Sequence, residues 1–382
     1  MIDSVAQKKI GGTPGVDRRI RVMVVDDSVV IRRMVTRVLE EDPGIEVVGT
    51  AANGVLALQK VDELCPDIMT LDIEMPEMDG LETLMRLHEN YPKVRVIMFS
   101  TLTERGAKAT IDSMLRGASD YVTKPSNGSQ ADESIDRLRT ILLPKLKQFY
   151  HHAAPKPVVP QVPASLTPSV FRAVQPEKVS IPASKPGPRT APFRLLAIGV
   201  STGGPTALAE VLPALPANFP LPIVIVQHMP PLFTQFLADR LDARCKIHVV
   251  EAHERMLLEP GTAYIAPGDY HMRFVKGIDQ VHITLDQGPQ ENSCRPAVDV
   301  MLRSAAEIYH GDILVTILTG MGYDGRRGVE AIKKCGGYCI AQDSASSVVW
   351  GMPGAVVEAG LADSVVALRS VCESIVKQVG MA

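Results

Sequence analysis

The chain has 382 residues, of which 46% are hydrophobic and 22% charged, and its formal net charge is −3. This length and composition are typical of a globular protein with two or three domains. The near-neutral charge gives no general attraction to nucleic acid or to an anionic membrane surface. Residues 1–21 lack the apolar stretch of a secretory signal, and no apolar run approaches the ~20 residues that span a bilayer.

The six cysteines are scattered along the chain. Cys335 and Cys339 have no second pair that would complete a zinc site. We therefore expect reduced, mostly buried thiols and a cytoplasmic location.

The composition changes sharply after Tyr150. Residues 151–192 hold ten of the 29 prolines and show no sustained periodicity. Such a segment favours the extended polyproline conformation and serves as a spacer, and a proline motif that binds a partner is the alternative. We predict an N-terminal domain over residues 20–146, a linker over 147–192 and a C-terminal domain over 193–382.

Short apolar runs alternate with amphipathic stretches in the N-terminal domain. The runs predict five strands, over residues 21–27, 47–52, 67–72, 94–100 and 120–124. The amphipathic stretches predict five helices, over residues 29–40, 55–64, 81–89, 104–115 and 132–146. Near-continuous apolar strands suit a parallel sheet covered on both faces, so we predict a doubly wound α/β domain with ligands at the carboxyl ends of its strands.

Polar side chains lie at the ends of four predicted strands. Asp26 and Asp27 end the first strand, Asp72 the third, Ser100 the fourth and Lys124 the fifth. Three converging carboxylates repel one another unless a cation neutralises them, and Mg²⁺ does so while leaving room for phosphate oxygens. An aspartate in such a site can attack a phosphoryl donor and become an acyl phosphate. The alternative is that these aspartates only cap helices.

Four motifs, "VVDDS", "LDIEMPEMDGLE", "FST" and "GASDYVTKP", resemble those of the two-component receiver domains. The resemblance implies a flavodoxin-like fold of five βα units and phosphorylation of Asp72 by a chemotaxis histidine kinase. It also implies that Mg²⁺ is bound by Asp27, Asp72 and the carbonyl of Glu74, with Asp26 assisting.

The same resemblance assigns three residues to a conformational switch. Ser100 would move toward the phosphoryl group, Lys124 would bind it, and Tyr121 would be the aromatic switch. From the residues alone, Tyr121 is better explained as an ordinary strand residue that faces the core or the surface. Thr101 follows Ser100 directly, so the position of the switch hydroxyl stays open by one residue.

In the C-terminal domain, the stretch "AIGVSTGGP" (197–205) ends an apolar run at a serine between glycines. The spacing Gly199-x-Ser201-x-Gly203 fits a strand-to-helix turn that exposes a nucleophilic hydroxyl above a parallel sheet. The glycines could equally turn the chain or hold a phosphate, and this stretch alone leaves these alternatives open.

Three apolar runs predict parallel strands. The run 193–200 leads to Ser201, the run 221–229 ends in His228, and the stretch 312–325 begins as a strand and runs into a glycine-rich turn that carries Asp324. Such sheets gather their sites at the carboxyl ends of strands. A serine needs a base to take its proton, and a carboxylate behind an imidazole fixes the tautomer of that base. The order Ser, His, Asp differs from that of the α/β-hydrolases. Other residues of this domain remain alternatives for the base or the carboxylate, namely His253, His271, Asp269 and Asp343.

Shorter runs between the second and third of these strands, "TAYIAPG", "HMRFV" and "VHITL", predict short strands. They include a small antiparallel hairpin beside the main sheet.

Five motifs resemble the chemotaxis protein-glutamate methylesterases throughout residues 193–370: "IGVSTGGP", "VIVQHMP", "YIAPGDYH", "LTGMGYDG" and "SSVVWGMPGAVVEAG". The resemblance assigns the nucleophile to Ser201, the base to His228 and the orienting carboxylate to Asp324. It places Thr202 and Met321 beside them, where a backbone N–H could serve an oxyanion hole. For Met321, simple packing beside the turn is the alternative.

The methylesterase resemblance also implies the substrate, a glutamate γ-methyl ester on the cytoplasmic helices of a chemoreceptor. Glutamine deamidation would pass through the same tetrahedral intermediate, and neither reaction needs a cofactor. The enzyme would work at receptor arrays without a membrane segment of its own, and the unphosphorylated receiver would cover the esterase cleft.

Two other classes of function are weighed against this one. A receiver fused to a DNA-binding output would need a basic recognition helix, which the C-terminal domain lacks. A module that binds nucleotide at "STGGP" would need the pattern G-x-x-x-x-G-K-[ST], which is absent. We therefore expect no nucleic-acid partner.

Overall fold

The computed structural model describes residues 19–101, 103–124, 131–151, 192–278 and 280–381. The chain separates into two compact units, which divide between Phe149 and Tyr150. Residues 1–18 and residues 152–191 of the predicted linker lie outside the described residues. Among the helices that are described, none is both long enough and apolar enough to cross a bilayer.

The N-terminal unit contains a parallel sheet of five strands. The strands are β1 (Ile20–Val25), β2 (Ile45–Ala51), β3 (Ile68–Asp72), β4 (Arg95–Ser100) and β5 (Asp120–Thr123), and their order is β2-β1-β3-β4-β5. The predicted doubly wound α/β fold is confirmed. The direction of winding reverses between β1 and β3, so a crevice opens at the carboxyl ends of these strands.

The helices of this unit are α1 (Val29–Glu40), α2 (Gly54–Leu64), α3 (Gly80–Asn90), α4 (Glu104–Leu115) and α5 (Ala131–His151). The first four helices begin after a residue whose side chain accepts a hydrogen bond from a backbone N–H of the first helical turn. These capping residues are Ser28, Asn53, Asp79 and Thr103. Helix α5 continues beyond its predicted end at residue 146, because Leu146 and Phe149 are buried in the core and Lys147 pairs with Asp42 at 2.5 Å. The predicted linker, 147–192, therefore begins inside this helix.

The C-terminal unit contains a parallel sheet of seven strands and a separate antiparallel pair. The main strands are β6 (Leu195–Val200), β7 (Ile223–Gln227), β8 (His248–Glu251), β9 (Thr262–Ile265), β12 (Ile313–Ile317), β13 (Tyr338–Gln342) and β14 (Ser364–Val366). Their order is β14-β13-β12-β6-β7-β9-β8, and β10 (His271–Lys276) pairs antiparallel with β11 (Val281–Asp286). The predicted hairpin is confirmed, whereas "TAYIAPG" supplies β9 of the main sheet.

Six helices accompany these strands: α6 (Gly204–Val211), α7 (Phe233–Asp242), α8 (Val298–Tyr309), α9 (Arg326–Lys334), α10 (Met352–Glu358) and α11 (Val371–Val379). Strand β12 ends at Ile317, and the chain then makes the predicted glycine-rich turn through Gly322 and Gly325, whose φ angles are +80° and +93°. The strands β12, β6 and β7 lie next to one another in the middle of the sheet. Three of the predicted site residues follow these three strands.

Candidate functional site

Ser201 and His228 follow adjacent strands of the C-terminal sheet. Strands β6 and β7 pair in register up to Val200 and Gln227, and the N–H of His228 donates to the carbonyl of Val200 at 3.3 Å. On the other side, the N–H of Ser201 donates to the carbonyl of Thr319 at 3.0 Å. Paired strands lie ~4.8 Å apart. Ser201 therefore lies between the chain segments that follow β7 and β12.

The chain turns sharply after Ser201 and enters α6 at Gly204. Gly203 has φ +77°, and a Cβ there would come within 2.7 Å of the side chain of Val348. Glycine adopts this left-handed conformation without the penalty that a side chain brings. The strand-to-helix turn predicted from the glycine spacing is confirmed.

His228 and Asp324 form a hydrogen-bonded pair, with Nε2 and Oδ2 2.9 Å apart. The Asp324 side chain is 2% exposed and also accepts three backbone N–H groups, from Val298 at 2.7 Å, Asp299 at 3.0 Å and Gly325 at 2.9 Å. Two of these donors belong to the first turn of α8, where the helix dipole favours a negative charge. The backbone therefore supplies three of the hydrogen bonds that hold this carboxylate.

The protonation of this pair follows from its surroundings. Burial acts to lower the pKa of His228, but the hydrogen bonds to Asp324 and to Cys294 outweigh burial and raise it above the ordinary value. For Asp324, burial acts to raise the pKa, and the contacts with His228 and the backbone N–H groups bring it below its usual range. Asp324 therefore stays ionised and makes the imidazole a stronger base.

The second ring nitrogen of His228 faces a thiol that sequence analysis did not single out. Nδ1 lies 3.6 Å from Sγ of Cys294, which is half-buried. Within the described part of the chain, no hydrogen bond joins the Ser201 hydroxyl to the imidazole. Since Nε2 is bound to Asp324, Nδ1 is the ring nitrogen left for a reacting hydroxyl.

Thr202 follows Ser201 in the chain, and Met321 follows Gly320, which lies against Ser201. Thr202 is buried, and its carbonyl accepts a hydrogen bond from Oγ1 of Thr319 at 2.9 Å. Met321 is 45% exposed, so its side chain is not simply packed beside the turn. The preceding Gly320 allows a close approach, because a Cβ there would lie 2.8 Å from Cβ of Ser201.

The four alternative residues for the base or the carboxylate are not hydrogen-bonded to Ser201 or His228 in the regions that the structure describes. His271 is instead hydrogen-bonded to the carbonyl of Pro289, and Asp269 to Arg295. Asp343 is hydrogen-bonded to Ser346, and His253 is exposed.

Two further residues missed by sequence analysis complete the surroundings of Asp324. Nδ2 of Asn292 lies 2.8 Å from Oδ1 of Asp324 and 3.0 Å from Oδ2 of Asp299. Asp299 is fully buried, and its Oδ1 accepts the N–H of Gly328 at 2.7 Å. Burial raises the pKa of Asp299, and the charge of Asp324 raises it further. An acidic residue in a first helical turn is ordinary in a sequence, so no local signal distinguishes Asp299.

The predicted acidic residues of the N-terminal unit converge as expected. Single carboxylate oxygens of Asp26, Asp27 and Asp72 all lie within 4.8 Å of one another. Nζ of Lys124 lies 2.8 Å from both Asp26 and Asp72. Burial, together with the charge of Asp26, outweighs Lys124 and raises the pKa of Asp72 to about 6. Oxygen donors at this spacing suit a hard divalent cation.

A cavity of about 250 Å³ opens beside these carboxylates, lined by Asp27, Asp72, Ile73, Glu74, Ser100, Thr101, Gly106 and Lys124. The Glu74 side chain itself turns to Arg105 at 3.2 Å, which leaves only its backbone as a candidate ligand. The predicted metal and phosphoryl-binding residues thus line one cavity, except for Asp26, which is buried beside it and contacts Lys124.

The predicted switch residues lie on the neighbouring strands. Ser100 is buried, and its hydroxyl donates to the carbonyl of Gly106 at 3.1 Å. Tyr121 is partly buried against the core of the unit, with Nζ of Lys145 5.4 Å from the ring centre. Thr101 is exposed, and its Oγ1 lies 3.1 Å from Oγ1 of Thr103. Ser100 is therefore the hydroxyl that the sheet holds in a buried position beside the carboxylates.

Comparison with known proteins extends these observations. Residues 22–136 match the family described as response regulator receiver domain, and residues 196–375 match the family described as CheB methylesterase. The chain is 46% identical over 362 residues to a protein-glutamate methylesterase/protein-glutamine glutaminase of Trichodesmium erythraeum, an alignment that covers 95% of this chain and 99% of the relative. It is 49% identical over 359 residues to a protein of the same name from Nocardioides sp., covering 94% and 95%.

A crystal structure of the CheB methylesterase catalytic domain of Thermotoga maritima is also similar. It shares 45% sequence identity with this chain, covers 49% of this chain and 99% of its own, and has a TM-score of 0.48.

Proposed function

Because the chain belongs to the protein-glutamate methylesterase/protein-glutamine glutaminase family, we propose that it hydrolyses glutamate γ-methyl esters on chemoreceptors and deamidates receptor glutamines, under control of a phosphorylated receiver domain. The observation that carries the proposed mechanism is the 2.9 Å contact between His228 and Asp324 beside β6, the strand that leads to Ser201. The matches at 22–136 and 196–375 support the two predicted domains, 20–146 and 193–382.

In the proposed reaction, Ser201 Oγ attacks the ester carbonyl, and its proton passes to Nδ1 of His228. Nδ1 receives the proton because Nε2 is held by Asp324. The substrate complex closes the gap between hydroxyl and imidazole, as catalytic hydrogen bonds often tighten only when substrate binds. His228 then gives the proton to the departing methoxide, and methanol leaves.

Backbone N–H groups of Thr202 and Met321 stabilise the tetrahedral oxyanion in this proposal. In support, the N–H of Met321 donates to no backbone carbonyl among the described residues, so it is available to an oxyanion. Water attacks the acyl-enzyme by the same route and restores the Ser201 hydroxyl and a free glutamate. An amide substrate releases ammonia instead of methanol, and more slowly, because ammonia is the poorer leaving group.

For regulation, we propose that a chemotaxis histidine kinase supplies the phosphoryl group that Asp72 accepts. The carboxylates of Asp27 and Asp72 and the carbonyl of Glu74 would hold Mg²⁺, with Asp26 assisting, and the spacing of the carboxylate oxygens fits such an ion. Bound there, Mg²⁺ supplies positive charge that offsets the carboxylates and the phosphoryl oxygens.

In this proposal, the charge of the phosphoryl group on Asp72 changes the positions of three side chains, those of Lys124, Ser100 and Tyr121. Lys124 exchanges its contacts with Asp26 and Asp72 for the phosphoryl group, and the Ser100 hydroxyl leaves the carbonyl of Gly106. Tyr121 follows as the aromatic switch. These movements bias a contact by which the receiver covers the esterase cleft.

The proposed setting is the cytoplasm, at receptor arrays. All six cysteines are free thiols, which supports a reducing compartment. The prediction that most of them are buried is wrong, because only Cys339 is buried, whereas Cys65 and Cys335 are exposed.

The experiment that tests this function measures methanol released from methylated chemoreceptor by the full chain, with and without a small phosphodonor and Mg²⁺. We expect Ser201→Ala to lower the rate by several orders of magnitude while the fold is retained, as deletions of triad residues do. A serine-reactive fluorophosphonate probe should label the wild type and not this variant. Substantial methanol release by Ser201→Ala would assign the nucleophile elsewhere.

A further inference from the structure

The carboxamide of Asn292 bridges two buried carboxylates. Its Nδ2 carries two hydrogens, and the two oxygens within reach are Oδ1 of Asp324 at 2.8 Å and Oδ2 of Asp299 at 3.0 Å. Among the described residues, no other side chain is hydrogen-bonded to both carboxylates. One amide therefore links the partner of His228 to a second acid behind it.

The backbone at this position also restricts which residue can make the link. Asn292 has φ +53° and Ser293 has φ +61°, in the loop between β11 and α8. Asparagine and aspartate adopt this left-handed region more readily than other residues with side chains. Aspartate, however, has no pair of N–H donors to offer two carboxylates.

The charges around Asn292 explain why two donors matter. On one side lies the Asp324–His228 pair, with Cys294 against the imidazole, and on the other lies buried Asp299. The preceding Glu291 is neutralised by Arg303 through two contacts, at 2.8 and 2.6 Å. The charge of Arg303 also acts on Asp299 and Asp324, and backbone N–H groups together with the amide of Asn292 offset the rest of the repulsion between these two carboxylates.

We propose that Asn292 is a positioning residue for the esterase reaction. Its amide holds the Asp324 carboxylate in the orientation that binds Nε2 of His228 and keeps Asp299 from competing for the same donors. This inference depends on the proposed function, because it acts through the proposed base. Neither the receiver nor the family resemblance assigns Asn292 a role.

A matched pair of substitutions in the full chain separates the amide from the backbone. Asn292→Gly removes the amide and tolerates the positive φ, whereas Asn292→Asp keeps the shape and replaces the donors with a further acid. Ser293→Gly is the control, because Ser293 is exposed, shares the left-handed conformation and makes no hydrogen bond to either carboxylate.

The measured quantity is the rate of Ser201 labelling by a fluorophosphonate as a function of pH, together with kcat and KM for methanol release. We expect both Asn292 variants to lose about 10- to 100-fold in rate, the range known for residues that orient metal ligands through a hydrogen bond, with KM little changed. Asn292→Asp should also move the acid limb of the profile to higher pH, because a third carboxylate stabilises the imidazolium. Asn292→Gly should not move it upward, and Ser293→Gly should match the wild type.

Three results would overturn the inference. The first is an Asn292→Asp profile that coincides with that of the wild type, and the second is an Asn292→Gly rate no lower than that of Ser293→Gly. The third is a full further loss when Asn292→Gly is added to Asp324→Asn, since a residue that acts through Asp324 has no effect once that carboxylate is gone. A wild type that does not react with the probe overturns the proposed function and this inference with it.

A further measurement does not depend on enzyme activity. Titration of the His228 ring by NMR should give a higher pKa in folded Asn292→Asp than in the wild type, and an unchanged value would contradict the inference.

Discussion

Single side chains at the C-terminal site owe their chemistry to burial and to hydrogen bonds. Asp324 is taken out of water, but His228, Asn292 and three backbone N–H groups satisfy its oxygens. A carboxylate with this many donors stays charged although it is buried. The negative charge of Asp324 raises the pKa of the His228 imidazole. A more basic imidazole takes the proton of a serine hydroxyl more readily.

The raised pKa of His228 makes a prediction about pH. Only the neutral imidazole can accept the proton of Ser201, so the rate should rise with pH along a limb that lies above the ordinary histidine pKa of about 6.5. Asp324→Asn removes the charge that raises this pKa, so the limb should move to lower pH. The rate should fall by roughly 10³- to 10⁴-fold, because the amide also favours the wrong tautomer. The check is a pH–rate profile of methanol release, and an unchanged profile would remove Asp324 from the mechanism.

The pKa of Asp72 predicts how the N-terminal unit responds to pH. Because the pKa of Asp72 in the folded protein, about 6, lies above the ordinary value of 3.8 for an aspartate, folding favours the protonated carboxyl, and stability is lost as pH rises through about 6. Asp72→Asn, which cannot ionise, should therefore unfold at a higher temperature than the wild type at pH 7 without Mg²⁺. This difference should shrink as pH falls toward 4, and added Mg²⁺ should stabilise the wild type above pH 6 only.

Thermal unfolding at several pH values, with and without Mg²⁺, is the measurement. A temperature difference that is equal at pH 4.5 and pH 7.5 would contradict the raised pKa. Arg86→Ala is a suitable control, since its exposed ion pair with Glu82 lies on the surface of α3.

Strands and turns bring the reacting groups together. Strands β12, β6 and β7 are neighbours, so the segments that follow them meet at one edge although they lie far apart in the chain. The turn after β12 comes against Ser201 through Gly320, whose carbonyl accepts the N–H groups of Gly351 and Met352. The position of Met321 therefore depends on a glycine that lets two chain segments touch.

Gly320→Ala tests this close approach. An added Cβ would lie 2.4 Å from Sδ of Met352 and 2.8 Å from Cβ of Ser201, so the turn must move away from the serine. We expect about a 10²-fold loss in methanol release, the scale expected from a misplacement of about 1 Å. Gly360→Ala is the control for stability alone, because its φ is +69° but nothing lies within 4 Å of the added Cβ. Equal loss of activity in both variants would contradict the geometric explanation.

At the scale of the whole molecule, two units with separate cores carry two different chemistries. The N-terminal unit gathers acids around a cavity, and the C-terminal unit gathers a serine, an imidazole and a carboxylate at a sheet edge. The proposed regulation requires the first to restrain the second until Asp72 is phosphorylated.

Removal of residues 1–151 should therefore raise the basal rate of methanol release and abolish its response to phosphodonor and Mg²⁺. In the full chain, Asp72→Asn should keep the basal rate and lose the response. The same truncation carrying Ser201→Ala controls for contaminating esterases. A truncated enzyme slower than the full chain would contradict inhibition by the N-terminal domain.

The sequence by itself determined the order of elements in the N-terminal unit, six strands of the C-terminal unit and the residues that follow the central strands, whereas β8, β13 and β14 were not predicted. Alternation of apolar and polar residues is a local property, and so are the motifs around Asp72 and Ser201. The sequence predicted the end of an element less accurately where that end depends on distant contacts. Helix α5 continues to His151, beyond its predicted end, because Phe149 is buried in the core.

Only the tertiary structure decided which groups surround the proposed catalytic pair. Asn292 and Asp299 reach Asp324 across 32 and 25 residues of chain, and Cys294 reaches His228 across 66. Local periodicity carries no information about such contacts, since they arise when α8 and the loop before it fold back onto the sheet edge. Whether a buried acid is a helix cap or a partner of the active site is therefore decided by packing.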